Sequence, residues 1–121
     1  MIPEESFRQA SIENILTSLI QEGSFTYAVV ASNDGLLIAT AGEANVAMVA
    51  AVAATMKDLA ERAHQHLTEI ATRDRDGNHI VSRYFSVGKD LLLLIVKVPP
   101  GRTYRRLTSR AIRKIKQVWP A

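Results

Sequence analysis

At 121 residues and 47% hydrophobic, the chain is long enough for one domain with one sizeable core. It has no cysteine, which excludes a disulfide framework, thiolate metal ligands and a cysteine nucleophile, and fits an expected reducing, cytoplasmic setting. The net charge of +3 hides a division: residues 1–90 carry seven basic and twelve acidic side chains, residues 91–121 eight basic and none acidic.

The opening MIPEESF is acidic and lacks the basic, apolar and small-residue sections of a secretory leader, so no export is expected. From about Glu4 to Glu22, Ile12, Ile15, Leu16, Leu19 and Ile20 recur at helical spacing, and Gly23 stands in a natural cap position. FTYAVVAS and LLIATA flank NDG, and two branched and aromatic runs around an Asn/Asp-Gly turn predict a hairpin. A helix is predicted from about Glu43 to His66. Its alanine-rich run, Ala44 to Met56, spans 13 residues, short of the roughly 20 that cross a bilayer. No membrane span is expected.

LTEIATRD alternates imperfectly as a third strand, RDGN makes a turn, HIVSRYFSV a fourth strand, and GKD another turn. LLLLIVKV is apolar on both faces, which predicts a central strand with helices above and below. PPG stops the sheet. Residues 103–118 then form a last helix with Tyr104, Leu107, Ala111, Ile112, Ile115, Val118 and Trp119 as its apolar stripe. Arg102, Arg105, Arg106, Arg110, Arg113 and Lys116 lie mostly away from it. The order α-β-β-α-β-β-β-α predicts a single α/β domain around a five-stranded, mainly antiparallel sheet.

Motifs of catalysis and metal binding fail on inspection. A phosphate-binding loop ending at Gly88-Lys89 would need Gly at Arg83 and Ser or Thr at Asp90. Asp74, Asp76 and Gly77 suggest part of a calcium loop, but its bidentate Glu would fall on Arg83, and a hairpin turn explains DRDGN better. His64 and His66, about 200° apart on a helix, cannot jointly hold a metal there; on extended chain they could, but His79 is the only other histidine, and solvated or capping histidines are the expectation. No serine stands in a nucleophile elbow, so no catalytic residue, cofactor or metal is expected. The basic last helix leaves open an anionic ligand or nucleic acid; contact with an anionic membrane surface is not expected, because that face lacks protruding apolar residues beyond its buried stripe. Direct nucleic-acid binding is not expected, because Tyr104 and Trp119 belong to the buried stripe rather than to a stacking platform.

EANVAMVAAVAATMKDLAERA is apolar almost all round, which asks for two burial partners. Advancing 100° per residue gathers Val49, Val52, Met56, Leu59 and Ala63 into one arc, expected to pack on the sheet. Ala47, Ala50, Ala51 and Ala54 lie opposite and lead into Asp58, Glu61 and Gln65. Alanine is also simply a strong helix former. The alternative is a close helix–helix contact with a second copy across a two-fold axis, which would bury an apolar patch. The strand from Thr68 to Asp74 would then be a sheet edge pairing with its symmetry mate.

AVVASNDGLLIATAG followed directly by the Ala-rich helix, and LLLLIVKVPPGRTYRRL leading into the last one, resemble the roadblock family of dynein light chains and bacterial GTPase regulators. The resemblance covers roughly residues 11–118. It implies a homodimer with a ten-stranded sheet and no catalytic residues of its own, serving as a binding platform for a small Ras-like GTPase or as a scaffold subunit without effect on nucleotide turnover. Carried over by position, the dimer interface would involve Ala47, Ala50, Ala51, Ala54, Thr68, Ile70 and Thr72. Partner contacts would fall on Lys57, Asp58, Glu61 and Arg62. The basic last helix has no counterpart in that pattern.

Overall fold

The computed structural model describes residues 4–119. Residues 1–3, which begin the acidic opening, and residues 120–121 lie outside the described residues. The elements are α1 (Glu4–Gly23), β1 (Tyr27–Ser32), β2 (Leu37–Gly42), α2 (Val46–Glu61), β3 (Glu69–Arg73), β4 (His79–Val87), β5 (Asp90–Val98) and α3 (Arg105–Val118). The expected order holds. The sheet runs β2-β1-β5-β4-β3, and every neighbouring pair is antiparallel rather than most of them. Among the described residues, no helix is long and apolar enough to cross a membrane.

β5 is central, as its unbroken apolar run requires, and Leu92 to Val96 are all buried. Strand alternation sends Leu92, Leu94 and Val96 to one face, where Ile12, Leu16 and Leu19 of α1 and Ala111, Ile112 and Ile115 of α3 cover them. Leu93 and Ile95 go to the other, beside Tyr27, Val29, Ala31 and Tyr84, under α2. The apolar stripe expected for α3 is the buried one, with Thr108 added to it.

Two helix boundaries obey chemistry that spacing alone does not disclose. At the end of α1 the left-handed residue is Ser24 (φ 55°), not Gly23. Gly23 is needed instead for room, since a Cβ there would come within 2.5 Å of the Phe25 ring. α2 begins at Val46 rather than Glu43, because Asn45 caps it, Oδ1 accepting from the Met48 amide at 3.4 Å. It ends at Glu61, five residues before His66, where the backbone turns left-handed at φ 62°.

Candidate functional site

α2 meets the sheet through its smallest side chains. Ala50, Ala53 and Ala54 are buried against Tyr27, Val29, Tyr84, Leu93 and Ile95, whose bulk fills the space between helix and sheet. The β1–β2 turn presses on the same side: at Gly35 (φ 84°) a Cβ would stand 3.3 Å from the Ala51 Cα and 3.4 Å from the Ala54 Cβ. Only short side chains fit there, so the helix is turned by roughly 130° from the expected orientation. Val52 and Leu59, expected on the sheet, are 46% and 56% exposed, and Met48 is 58% exposed. Val49 and Met56 are half-buried, and Ala63 lies exposed beyond the helix.

Ala50 and Ala54 therefore cannot form an outward interface; they are 0% and 7% exposed in the protomer itself. Ala47 and Ala51 remain exposed on a flank of the helix. The outward residues are Met48, Val52, Thr55 and Leu59, spaced four, three and four, the seam spacing of paired helices. That spacing is visible in the sequence and is the signal that could have identified them.

Beside this seam lies an apolar groove of about 190 Å³, bounded by Met48, Val52 and Met56 of α2 and by Tyr27, Ile80 and Ile95 of the sheet. It exists because α2 packs chiefly on β1, β5 and β2, leaving β4 and β3 thinly covered. Among the described residues β3 is an edge strand, paired only with β4. Its Ile70 packs half-buried on the α2 side, and Thr68 and Thr72, two residues either way, are exposed on that side of the sheet. The seam, the groove and the free edge thus adjoin.

The polar end of α2 differs from expectation in one member. Lys57 is 6% exposed, its ammonium 2.6 Å from Glu61 Oε1 and 5.6 Å from the Tyr84 ring centroid. It is an internal side chain rather than a contact residue, because the helix face that bears it is the one turned to the sheet. Asp58 and Arg62 are exposed and Glu61 partly so. Beneath them the Tyr84 hydroxyl is buried with no hydrogen-bond partner among the described residues, and burial pushes its pKa up to about 12. On the sheet's other face Glu69 of β3 accepts from Tyr104 Oη at 2.9 Å and lies 3.5 Å from both Arg83 and Arg105, tying the edge strand to the start of α3.

No family model and no curated protein matches the sequence. Solved structures do match. A Roadblock/LC7 domain from Streptomyces avermitilis superposes with a TM-score of 0.72 at 18% identity, covering 88% of this chain and 92% of that one. The gliding protein MglB from Thermus thermophilus gives 0.79 at 11% identity, covering 92% and 90%. Myxococcus xanthus MglB gives 0.64 at 16% identity, covering 88% and 89%. The chain has the roadblock fold.

Proposed function

We propose that the chain is a non-catalytic homodimeric platform for a small Ras-like GTPase, acting by ordering the partner's mobile switch segments. The observation that carries the dimer is the outward apolar seam of α2 adjoining the groove and the unpaired β3 edge. Apolar side chains so exposed, next to open backbone hydrogen-bonding groups, form a surface that water covers poorly and a second copy covers well. Antiparallel pairing of two β3 edges about a two-fold axis perpendicular to the sheet makes ten strands and lays the two α2 helices side by side. Met48, Val52 and Leu59 take the interface role first expected of Ala50 and Ala54, with Thr68, Ile70 and Thr72 along the edge.

The GTPase reading rests on the roadblock fold shared with MglB and on the family resemblance of the two sequence blocks. Asp58, Glu61 and Arg62 would then sit at the rim of the paired helices, where a partner's charged segments can reach them. A platform that holds switch segments in a hydrolysis-competent geometry can raise turnover by positioning alone. The test is single-turnover GTP hydrolysis by a candidate Ras-like GTPase with and without the protein, alongside binding in both nucleotide states. Faster hydrolysis is the expected outcome. Binding with unchanged hydrolysis would make the protein a scaffold subunit instead, and absence of binding in either state would end the proposal.

A further inference from the structure

We propose that the outer face of the α1–α3 layer docks on an anionic lipid bilayer. α3 carries no acidic side chain. Of its cations, Arg105 lies 3.5 Å from Glu69 and Arg110 lies 3.2 Å from Glu22; Arg106, Arg113, Lys114 and Lys116 are exposed and make no ion pair among the described residues. At 100° per residue, Arg106, Arg110 and Arg113 fall within an arc of about 60° turned away from the buried stripe. A solvated face would also lie opposite the stripe; what a solvated helix does not require is charge of one sign only. The last turns of α2 mix Lys57, Asp58, Glu61 and Arg62.

The neighbouring helix does carry acidic side chains, of which Glu22 is paired with Arg110 and Glu13 is half-buried. The outward positions of α1, namely Ala10, Asn14, Thr17 and Gln21, are exposed and uncharged, and Phe7 heads the same side with 67% of its surface in water. The cleft between α1 and α3 encloses only about 20 Å³, too little for an inserted side chain. A flat basic layer with one projecting aromatic ring matches a plane of anionic headgroups, into whose acyl boundary the ring can insert. Bound nucleic acid would instead call for free stacking rings. Here Trp119 is half-buried, with the Arg8 guanidinium 3.9 Å from its ring centroid, and Tyr104 is half-buried and bonded to Glu69.

In the two-fold dimer proposed above, both α3 helices face the same side of the continuous sheet, so one surface would engage two basic stripes; only this doubling rests on that reading. Avidity then follows from linkage.

The test is co-sedimentation with vesicles of phosphatidylcholine alone or with about 30% phosphatidylserine, at about 0.05 M and about 0.5 M salt. Binding to the anionic vesicles only, lost at the higher salt, is expected. Each Lys or Arg at the surface contributes about fivefold in affinity, so Arg106→Glu with Arg113→Glu should weaken binding by at least about tenfold. Both side chains are exposed, so thermal unfolding should be unchanged. Phe7→Ser should weaken binding severalfold without altering its salt dependence. Val52→Glu, which breaks the proposed dimer, should weaken it while leaving phosphatidylserine selectivity, which separates failure of the dimer from failure of the docking face. Equal binding to neutral vesicles, no binding to anionic ones at low salt, full binding by the double variant, or displacement by an equimolar duplex or single-stranded oligonucleotide would each overturn the proposal.

Discussion

On one face of the sheet two helices bury Ile12, Leu16, Leu19, Ile112 and Ile115 and leave outside a layer of mostly polar and charged side chains, with Phe7 projecting at its end. On the other, one helix stands on alanines and turns Met48, Val52 and Leu59 to water. The first face is complete within the protomer. The second has the reverse distribution of large and small side chains, because the tyrosines and branched residues of the sheet already occupy the interlayer space. Side-chain size alone therefore does not say which face of a helix is buried. The volume available beneath it decides.

The contrast can be broken most forcefully on the complete side. Ile115→Ala removes a fully buried side chain and should cost about 2–5 kcal/mol of protomer stability, read by chemical denaturation. The matched change on the other face, Leu59→Ala, should cost the protomer under about 0.5 kcal/mol, since Leu59 is already exposed. If the two costs are similar, the faces are not different in kind. Val52→Glu sharpens the comparison in the oligomer. A carboxylate forced into an apolar seam should weaken dimerisation by about 3 kcal/mol, roughly a hundredfold, with the protomer's melting unchanged. Sedimentation equilibrium reads the first effect and calorimetry, at a concentration where wild type and variant are both dissociated, the second; an undiminished dimer would place the seam elsewhere.

Much of this architecture is local and so legible in the sequence. NDG and RDGN specify their turns by backbone requirement, and β4 spans His79–Val87, the nine residues expected for it between RDGN and GKD. The central place of β5 follows from an apolar run with no polar face to spare. The position of the candidate site, on α2 and β3, is legible for the same reason, since a helix apolar all round must be covered twice. Its orientation is not. With no polar face between Ala44 and Met56, periodicity offers two equivalent solutions, and the choice depends on Tyr27, Tyr84, Leu93 and Gly35, which are remote in sequence. Lys57 misleads similarly: a charge is expected outside, yet the side chain is buried, its ammonium 5.6 Å from the Tyr84 ring centroid and paired with Glu61 one turn on.

Smaller effects probe the footing of α2. Ala54→Leu enlarges a residue wedged between the sheet and the Gly35 turn and should destabilise the protomer by about 1–3 kcal/mol through overpacking. The same substitution at Ala47, exposed on the flank, should change protomer stability by less than about 0.5 kcal/mol. A pair of melting curves distinguishes the two, and equal values would restore the orientation in which alanines face outward.

The smallest expected effect concerns Tyr84, where the incomplete face meets the core. Its hydroxyl is buried and makes no well-formed hydrogen bond among the described residues, Ser82 being its one polar influence on the same strand, so removing it forfeits at most a weak interaction and relieves the desolvation of one polar group. Tyr84→Phe should accordingly leave stability at pH 7 unchanged or raise it by up to about 1 kcal/mol. The pH dependence supplies an independent readout. The hydroxyl's pKa is about 12 in the folded protein against 10.0 ordinarily, raised first by burial, held back in part by the neighbouring Ser82 side chain and raised further by the Glu61 carboxylate. The unfolded chain therefore releases this proton before the folded one does. Below pH 10 the group adds no pH dependence, and between about pH 10 and 12 it makes stability fall as pH rises. Tyr84→Phe should flatten that part of the alkaline limb in calorimetry, whereas an unaltered limb would mean that the hydroxyl is not held in a dry site.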